Sequence, residues 1–101
     1  AQRRARLLLL RHLSREQREQ YEMSGRFIVI GESGIRYRID GGFAGNIKRL
    51  APDGHVLGSF CIHAAPEIPE PDQHLMQKLL LETDEQEFLR TANYTPAGRD
   101  L

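Results

Sequence analysis

A single cysteine, Cys61, stands in the 101-residue chain. No internal disulfide can form, and no all-cysteine metal cage fits within one chain. Long apolar runs are also missing. The longest are four residues, Leu7 to Leu10 and Phe27 to Ile30, against the ~20 a helix needs to cross a bilayer. Neither sign of charge is in excess, with 14 Lys plus Arg against 14 Asp plus Glu, so no overall attraction to nucleic acid or anionic lipid follows. Internal repeats and low-complexity stretches are absent. What is present, 40% apolar and 28% charged residues, suits one small domain with a modest core and excludes wholesale disorder.

Neutrality hides a segregation. Residues 1–50 carry eleven basic and five acidic side chains, whereas residues 51–101 carry three basic and nine acidic ones. Either the halves fold onto one another and neutralise each other, or the chain is a charged dipole that docks with copies of itself or with a partner. Arginine outnumbers lysine twelve to two. Guanidinium suits bidentate contact with carboxylate and phosphate, but a GC-rich coding sequence gives the same bias without any functional demand.

The segment Ala1 to Met23 reads as helix in two pieces. Ala5, Leu9 and Leu13 recur every four residues as one stripe, which Leu8 and Leu10 widen beyond a surface helix. Both sides of this helix are expected to touch something, and Leu7, Leu8 and Leu10 are the candidate contact residues. The early arginines do not make a targeting peptide, because Glu16, Glu19 and Glu22 follow and no small-residue cleavage site appears. Ser14 with Gln17 fits a capping box that opens a second helix near Arg15. Gly25 suits its left-handed terminator, and Tyr21 is its inward residue.

From Arg26 the period changes to two. Arg26 to Gly31 reads as a strand covered on both faces, and Glu32-Ser33-Gly34 as a turn. Ile35, Tyr37 and Ile39 then alternate with Arg36, Arg38 and Asp40, a half-buried strand. Asn46 to Leu50 is a third strand, Pro52-Asp53-Gly54 a turn, and His55 to His63 a fourth strand. Turns this short imply an antiparallel meander. Prolines 66, 69 and 71 make an extended connector. Asp72 is expected to cap a long C-terminal helix that runs to Asn93, with a restart near Glu82 if Thr83 and Gln86 form a second box. The expected fold is α+β and two-layered: an N-terminal helix pair, a four-stranded antiparallel meander, and a long helix packed on one face. Residues 1–93 form one domain and 94–101 a flexible tail. The expected core is Leu9, Leu13, Tyr21, Phe27, Val29, Ile35, Tyr37, Ile39, Ile47, Val56, Phe60, Ile62, Met76, Leu80 and Phe88.

Chemistry-bearing patterns are sparse. Cys61-x-His63 places a thiol and an imidazole on one strand face about 6–7 Å apart, a pair that suits zinc. A structural site needs four ligands, and only Asp72, His74 or a second subunit could supply the rest; an ordinary small core cysteine is the simpler reading. Cysteine catalysis lacks an oxyanion feature after Cys61. The glycines at 31, 34, 41, 42 and 45 do not form a phosphate loop. Asp84, Glu85 and Glu87 sit early in a helix, where acids favour the dipole. Arg26, Arg36, Arg38 and Lys48 form a basic sheet patch suited to a phosphate backbone. Tyr37, however, alternates away from the arginines, so the aromatic interleaving of a single-strand reader is missing.

The combination Gly31-x-x-Gly34-x-x-Tyr37-Arg38-Ile39, Asn46, Cys61-x-His63 and Gln77-Lys78-Leu79-x-Leu81-Glu82-Thr83-Asp84-Glu85 with Phe88-Leu89 resembles small uncharacterised domains of phage-related and bacterial reading frames. The resemblance covers most of residues 7–93 and brings no activity, ligand or catalytic residue with it. It implies a bacterial or viral protein that works by contact in the bacterial or host-cell cytoplasm. No enzyme, metal or cofactor is expected. The expected function is a protein-interaction module, a phage structural component or an inhibitor of a host enzyme; the alternative is a nucleic-acid-binding module using the basic sheet face. The expected partner is a protein, self or host, with no membrane involved. A homo-oligomer follows from the leucines, a dimer ahead of a ring.

Overall fold

Ser14 divides the first two helices. In the computed structural model, which describes residues 2–62 and 67–98, α1 spans Gln2–His12 and α2 spans Arg15–Ser24. The Ser14 hydroxyl accepts from the Gln17 N–H at 3.1 Å, and the Gln17 side chain accepts from the Ser14 N–H at 3.0 Å, satisfying two otherwise orphaned amides. Gly25 ends α2 with φ 75°, a left-handed conformation that costs a side-chain-bearing residue more. Ala5, Leu9, Leu10 and Leu13 turn inward from α1 and its end. Tyr21 packs edge-on against Phe27.

Five strands follow the helices in an antiparallel meander: β1 Phe27–Ile30, β2 Arg36–Ile39, β3 Ile47–Leu50, β4 Val56–Cys61 and β5 Asn93–Pro96. Phe27, Ile39, Ile47, Phe60 and Tyr94 line up across the sheet, as do Val29, Tyr37, Arg49, Gly58 and Pro96. Period-two alternation puts these residues on the inner face. There Phe27, Val29, Tyr37, Ile39, Ile47 and Phe60 are buried. Ile28, Arg38, Lys48, Ser59 and Thr95 line up on the outer face. β1 is therefore covered on one face only, not two: Ile30 is 61% exposed.

The C-terminal half departs from the expected single helix. α3 runs Glu70–Thr83 and α4 runs Glu85–Thr91, with Asp84 between them at φ −151° and ψ 58°, outside the helical range. The second capping box does not form. Thr83 instead donates its hydroxyl back to the Leu79 carbonyl at 2.6 Å. Asp72 is not the cap of α3 either: the N-cap falls three residues earlier, at Pro69, with Pro71 in the first turn, where a missing N–H costs nothing. Residues 93–96, the last residue of the expected domain and the first three of the expected tail, form β5, because Phe60 offers Tyr94 a ring contact at 4.7 Å and β4 had a free edge. Met76, expected in the core, is 42% exposed, while Leu10, Leu75 and Leu81 are buried there. Tyr21, Ile35, Ile62 and Leu80 are partly buried against the core cluster. Val56 is half-buried.

Side chains of α2 close the free edge of β1. Gln17 donates to the Ile28 carbonyl at 2.9 Å, and Gln20 accepts from the Ile28 N–H at 2.7 Å. An unpaired edge is a template for another strand, and these two amides occupy it. Gln17 thus serves a cap and an edge at once. Replacing Gln17 by Ala is expected to cost about 1–2 kcal/mol, read by urea denaturation; a variant as stable as wild type would show that water replaces both bonds without loss.

Candidate functional site

Helix periodicity decides which leucines face out. At about 100° per residue, Ala5, Leu9, Leu10 and Leu13 share one arc, and Leu7, Leu8, Arg4 and Arg11 fall on the other. Leu10 is accordingly 9% exposed and belongs to the core rather than to a contact surface, whereas Leu7 is 56% and Leu8 40% exposed. α3 packs beside α1 and turns Met76 and Leu79 outward, at 42% and 43% exposed. Leu8, Asp72, Leu75, Met76, Leu79, Leu80 and Thr83 line one open groove of about 420 Å³ between the two helices. Its wall is apolar apart from Asp72 and Thr83. The Oδ1 atom of Asp72 is buried there without a hydrogen-bond partner.

The basic sheet face is real in geometry and largely committed in bonding. Arg38 and Lys48 are direct cross-strand neighbours, and Arg36 shares their side of β2; Arg26 precedes β1 and is exposed. Arg38 makes a two-bond pair with Asp40 at 2.6 and 3.0 Å, and this pairing raises its pKa. Lys48 donates to the Gly45 carbonyl at 2.6 Å and the Ser59 hydroxyl at 3.1 Å. Arg26 and Arg36 are left exposed, with Ile28 and Ile30 on the same face.

Among the described residues no ion pair joins the two halves of the chain. Among the described residues the pairs are Arg15–Glu19, Arg18–Glu22, Arg38–Asp40, His55–Asp53, His74–Glu70, Lys78–Glu82 and Arg90–Glu87, each between residues at most four apart. Among the described residues the bias between basic N-terminal and acidic C-terminal segments is therefore not consumed by ion pairs between them, although the Arg49 charge acts on Glu85.

Glu85 is placed differently from its neighbours. It is 3% exposed and accepts from the Ser33 N–H at 2.7 Å, the Ser33 hydroxyl at 2.9 Å and the Tyr37 hydroxyl at 2.6 Å. In return the Glu32 carboxylate accepts from the Glu85 N–H at 2.9 Å, capping the short helix that follows the break. Burial pushes the Glu85 carboxyl up, but the Tyr37 and Ser33 bonds and the Arg49 charge outweigh it and leave the pKa below the ordinary value. Tyr37 is pushed far up, by burial first and then by the bond to Glu85 and its charge. Gly31 is what permits the approach, since a Cβ there would lie 2.6 Å from the Glu85 carboxyl carbon. Every partner of this carboxylate belongs to the fold, so the cluster is a lock between the β1–β2 turn and α4. Sequence reading missed it because residues 33, 37 and 85 carry no shared local pattern.

Cys61 is free and half-buried on β4, and His63 lies outside the described residues. Among the described residues no group of three or more His, Cys, Asp or Glu side chains is arranged to hold a metal ion. No described helix is long and apolar enough to cross a membrane. Comparison with protein-family models, with curated proteins and with solved structures finds no match to the chain.

The Glu85 lock makes a pH prediction. A carboxyl with a depressed folded pKa stabilises the fold above its ordinary value of 4.5, and that contribution is lost as pH falls through the depressed value. Tyr37 has the opposite sign: its contribution is held below 10.0 and lost as pH rises through its raised value. Glu85→Gln is expected to lose about 1.5–3 kcal/mol at neutral pH and to flatten the acid limb of stability against pH. Chemical denaturation at a series of pH values reads both. An unchanged acid limb would show that other carboxylates carry it.

Proposed function

We propose that the chain is a non-catalytic protein-interaction module that presents the groove between α1 and α3 to a protein partner. The observation that carries this reading is the convergence of Leu8, Met76 and Leu79, each 40–43% exposed, on one groove, with Leu7 alongside. Single exposed apolar residues need no explanation, but apolar side chains from two helices gathered on one surface mark a contact site. The local ion pairing adds to it, because the segregated charge stays available to orient a partner. A domain of this kind acts by contact, as a phage structural component or an inhibitor of a host enzyme, the roles that the sequence resemblance favours.

The competing reading is a nucleic-acid module on the outer sheet face. It has less support, because Arg38 and Lys48 already bond within the fold and Ile28 and Ile30 occupy the same face. The two readings separate by site-specific photo-crosslinking in a bacterial lysate, with a crosslinking phenylalanine analogue placed at Leu79 or at Arg36. Position 79 is expected to give protein adducts and position 36 none. Nucleic-acid adducts at position 36, weakening steeply with salt as phosphate contacts release counterions, would overturn the reading in favour of its competitor.

A further inference from the structure

We propose that the partner seated in this groove is an acidic amphipathic helix of about three turns, laid along the valley between α1 and α3. The inference rests on the interaction reading above and names the chemistry of the partner. Its first ground is the outward stripe of α3. In a helix of 14 residues only Met76, Leu79 and Thr83 are exposed, and their three- and four-residue spacing sets them in one line. A surface helix normally turns charge outward there; this one turns out a methionine and a leucine. From Asp72 to Thr83, the two ends of the groove wall on α3, the rise is about 16 Å, the length of a three-turn helix.

The shape of the partner follows from the main chain. Gln2, Arg3 and Arg6 share a depression with Glu70, Pro71 and His74, so the N-terminal ends of α1 and α3 lie together and the valley follows both helices. Leu8, Leu75, Met76 and Leu79 lie inside these helices, where N–H and C=O groups are occupied by the helix itself. An extended segment would find no strand edge to pair with there and would leave its own main chain unbonded against apolar surface. A helix satisfies its own main chain. Its side chains at i, i+3, i+4 and i+7 match the spacing of the stripe beneath.

Charge selects among helices. Arg4 and Arg11 lie four residues before and three residues after Leu8, on the same face of α1. Both are exposed, and neither takes part in an ion pair among the described residues. Acids of α3, in contrast, are engaged within the fold: Glu70 accepts from the Gly42 N–H at 2.8 Å, and Glu82 from the Lys78 ammonium at 2.7 Å. Asp72 is the one acid among the described residues of the groove wall. Two unmatched arginines on the α1 side against that single carboxylate leave the margin of the groove positive. Asp or Glu along the flank of the partner that faces α1, away from Asp72, complements it.

A random peptide library long enough for three helical turns, displayed on phage and selected on the purified full chain, tests the inference. Enriched peptides are then synthesised and measured by fluorescence anisotropy. They are expected to carry apolar residues at i, i+3 or i+4, and i+7, to be net acidic, and to gain helicity in circular dichroism on binding. Leu79→Gln, and Arg4→Glu combined with Arg11→Glu, are each expected to weaken that binding about tenfold. All three positions are exposed, and thermal melts of the unliganded variants check the fold. Binders that are net basic, that stay extended, or that ignore the arginine reversal would overturn the inference; if Leu79→Gln still abolishes them, the interaction reading stands. A wild-type dimer in sedimentation equilibrium that Leu79→Gln dissociates would overturn it in favour of a second copy. Failure to enrich any peptide sensitive to Leu79→Gln would also overturn it, and with no protein adducts at position 79 both readings fall.

Discussion

Four short helices have to cover a sheet whose strands are four to six residues long, and the rest of the structure follows from how that covering is shared. The inner face presents Phe27, Val29, Tyr37, Ile39, Ile47 and Phe60, all buried. α3 meets β1, β2 and α1 together, so its inward arc is divided between sheet and helix. α1 contributes Ala5, Leu9 and Leu10 to the same core. Each helix then has apolar residues left over after its inward arc is filled, and these emerge side by side as the groove. Burying a leucine or methionine side chain stabilises by about 1.5–3 kcal/mol, so an exposed cluster forgoes a gain that an occupant of the groove would recover.

Polar joints hold the covering layer in place where apolar contact cannot specify position. Asn46 and Gln77 are 2% and 1% exposed and exchange amide bonds at 2.9 and 3.4 Å. His74 donates to the Gly42 carbonyl at 3.0 Å, and Glu70 accepts from the Gly42 N–H at 2.8 Å. These bonds tie the glycine-rich β2–β3 loop to α3. At the opposite end of that helix, Glu85 ties the β1–β2 turn to α4. Buried polar pairs add little net energy when satisfied and cost much when one member is removed, so they fix one arrangement of helix on sheet. The orientation of the groove depends on them.

Local patterns in the sequence were sufficient for the α+β class, for the antiparallel sheet and for strands β1 to β4 to within a residue or two at most ends. The Ser14–Gln17 box and the Gly25 terminator were legible for the same reason: capping is decided by three or four consecutive residues. β5 was not legible, because Asn-Tyr-Thr-Pro has no alternation of its own and becomes a strand only against the edge of β4. The break at Asp84 was half legible. Thr83 and Gln86 suggested a restart, but the helix is recapped from Glu32, which is 53 residues away in sequence. Met76 and Leu10 show the limit of stripe counting. Both fall near the boundary of an apolar arc, and which side of it is buried depends on where the neighbouring helix sits. Of the contact leucines, Leu7 and Leu8 are exposed and Leu10 is not; Met76 and Leu79, which complete the groove, were hidden in a helix read as core.

The central claim is that the α1–α3 groove is the surface by which the chain meets a protein partner. The chain carries two methionines that serve as internal probes: Met76 sits in the groove at 42% exposed, and Met23 at the end of α2 is 90% exposed. Peroxide oxidation of both, followed by peptide mass spectrometry, over a range of protein concentrations and with bacterial lysate added, measures that contact directly. The account predicts that Met76 oxidation slows relative to Met23 oxidation as partner becomes available, whether from the chain itself or from the lysate. A ratio of Met76 to Met23 rates that neither concentration nor lysate changes would contradict it.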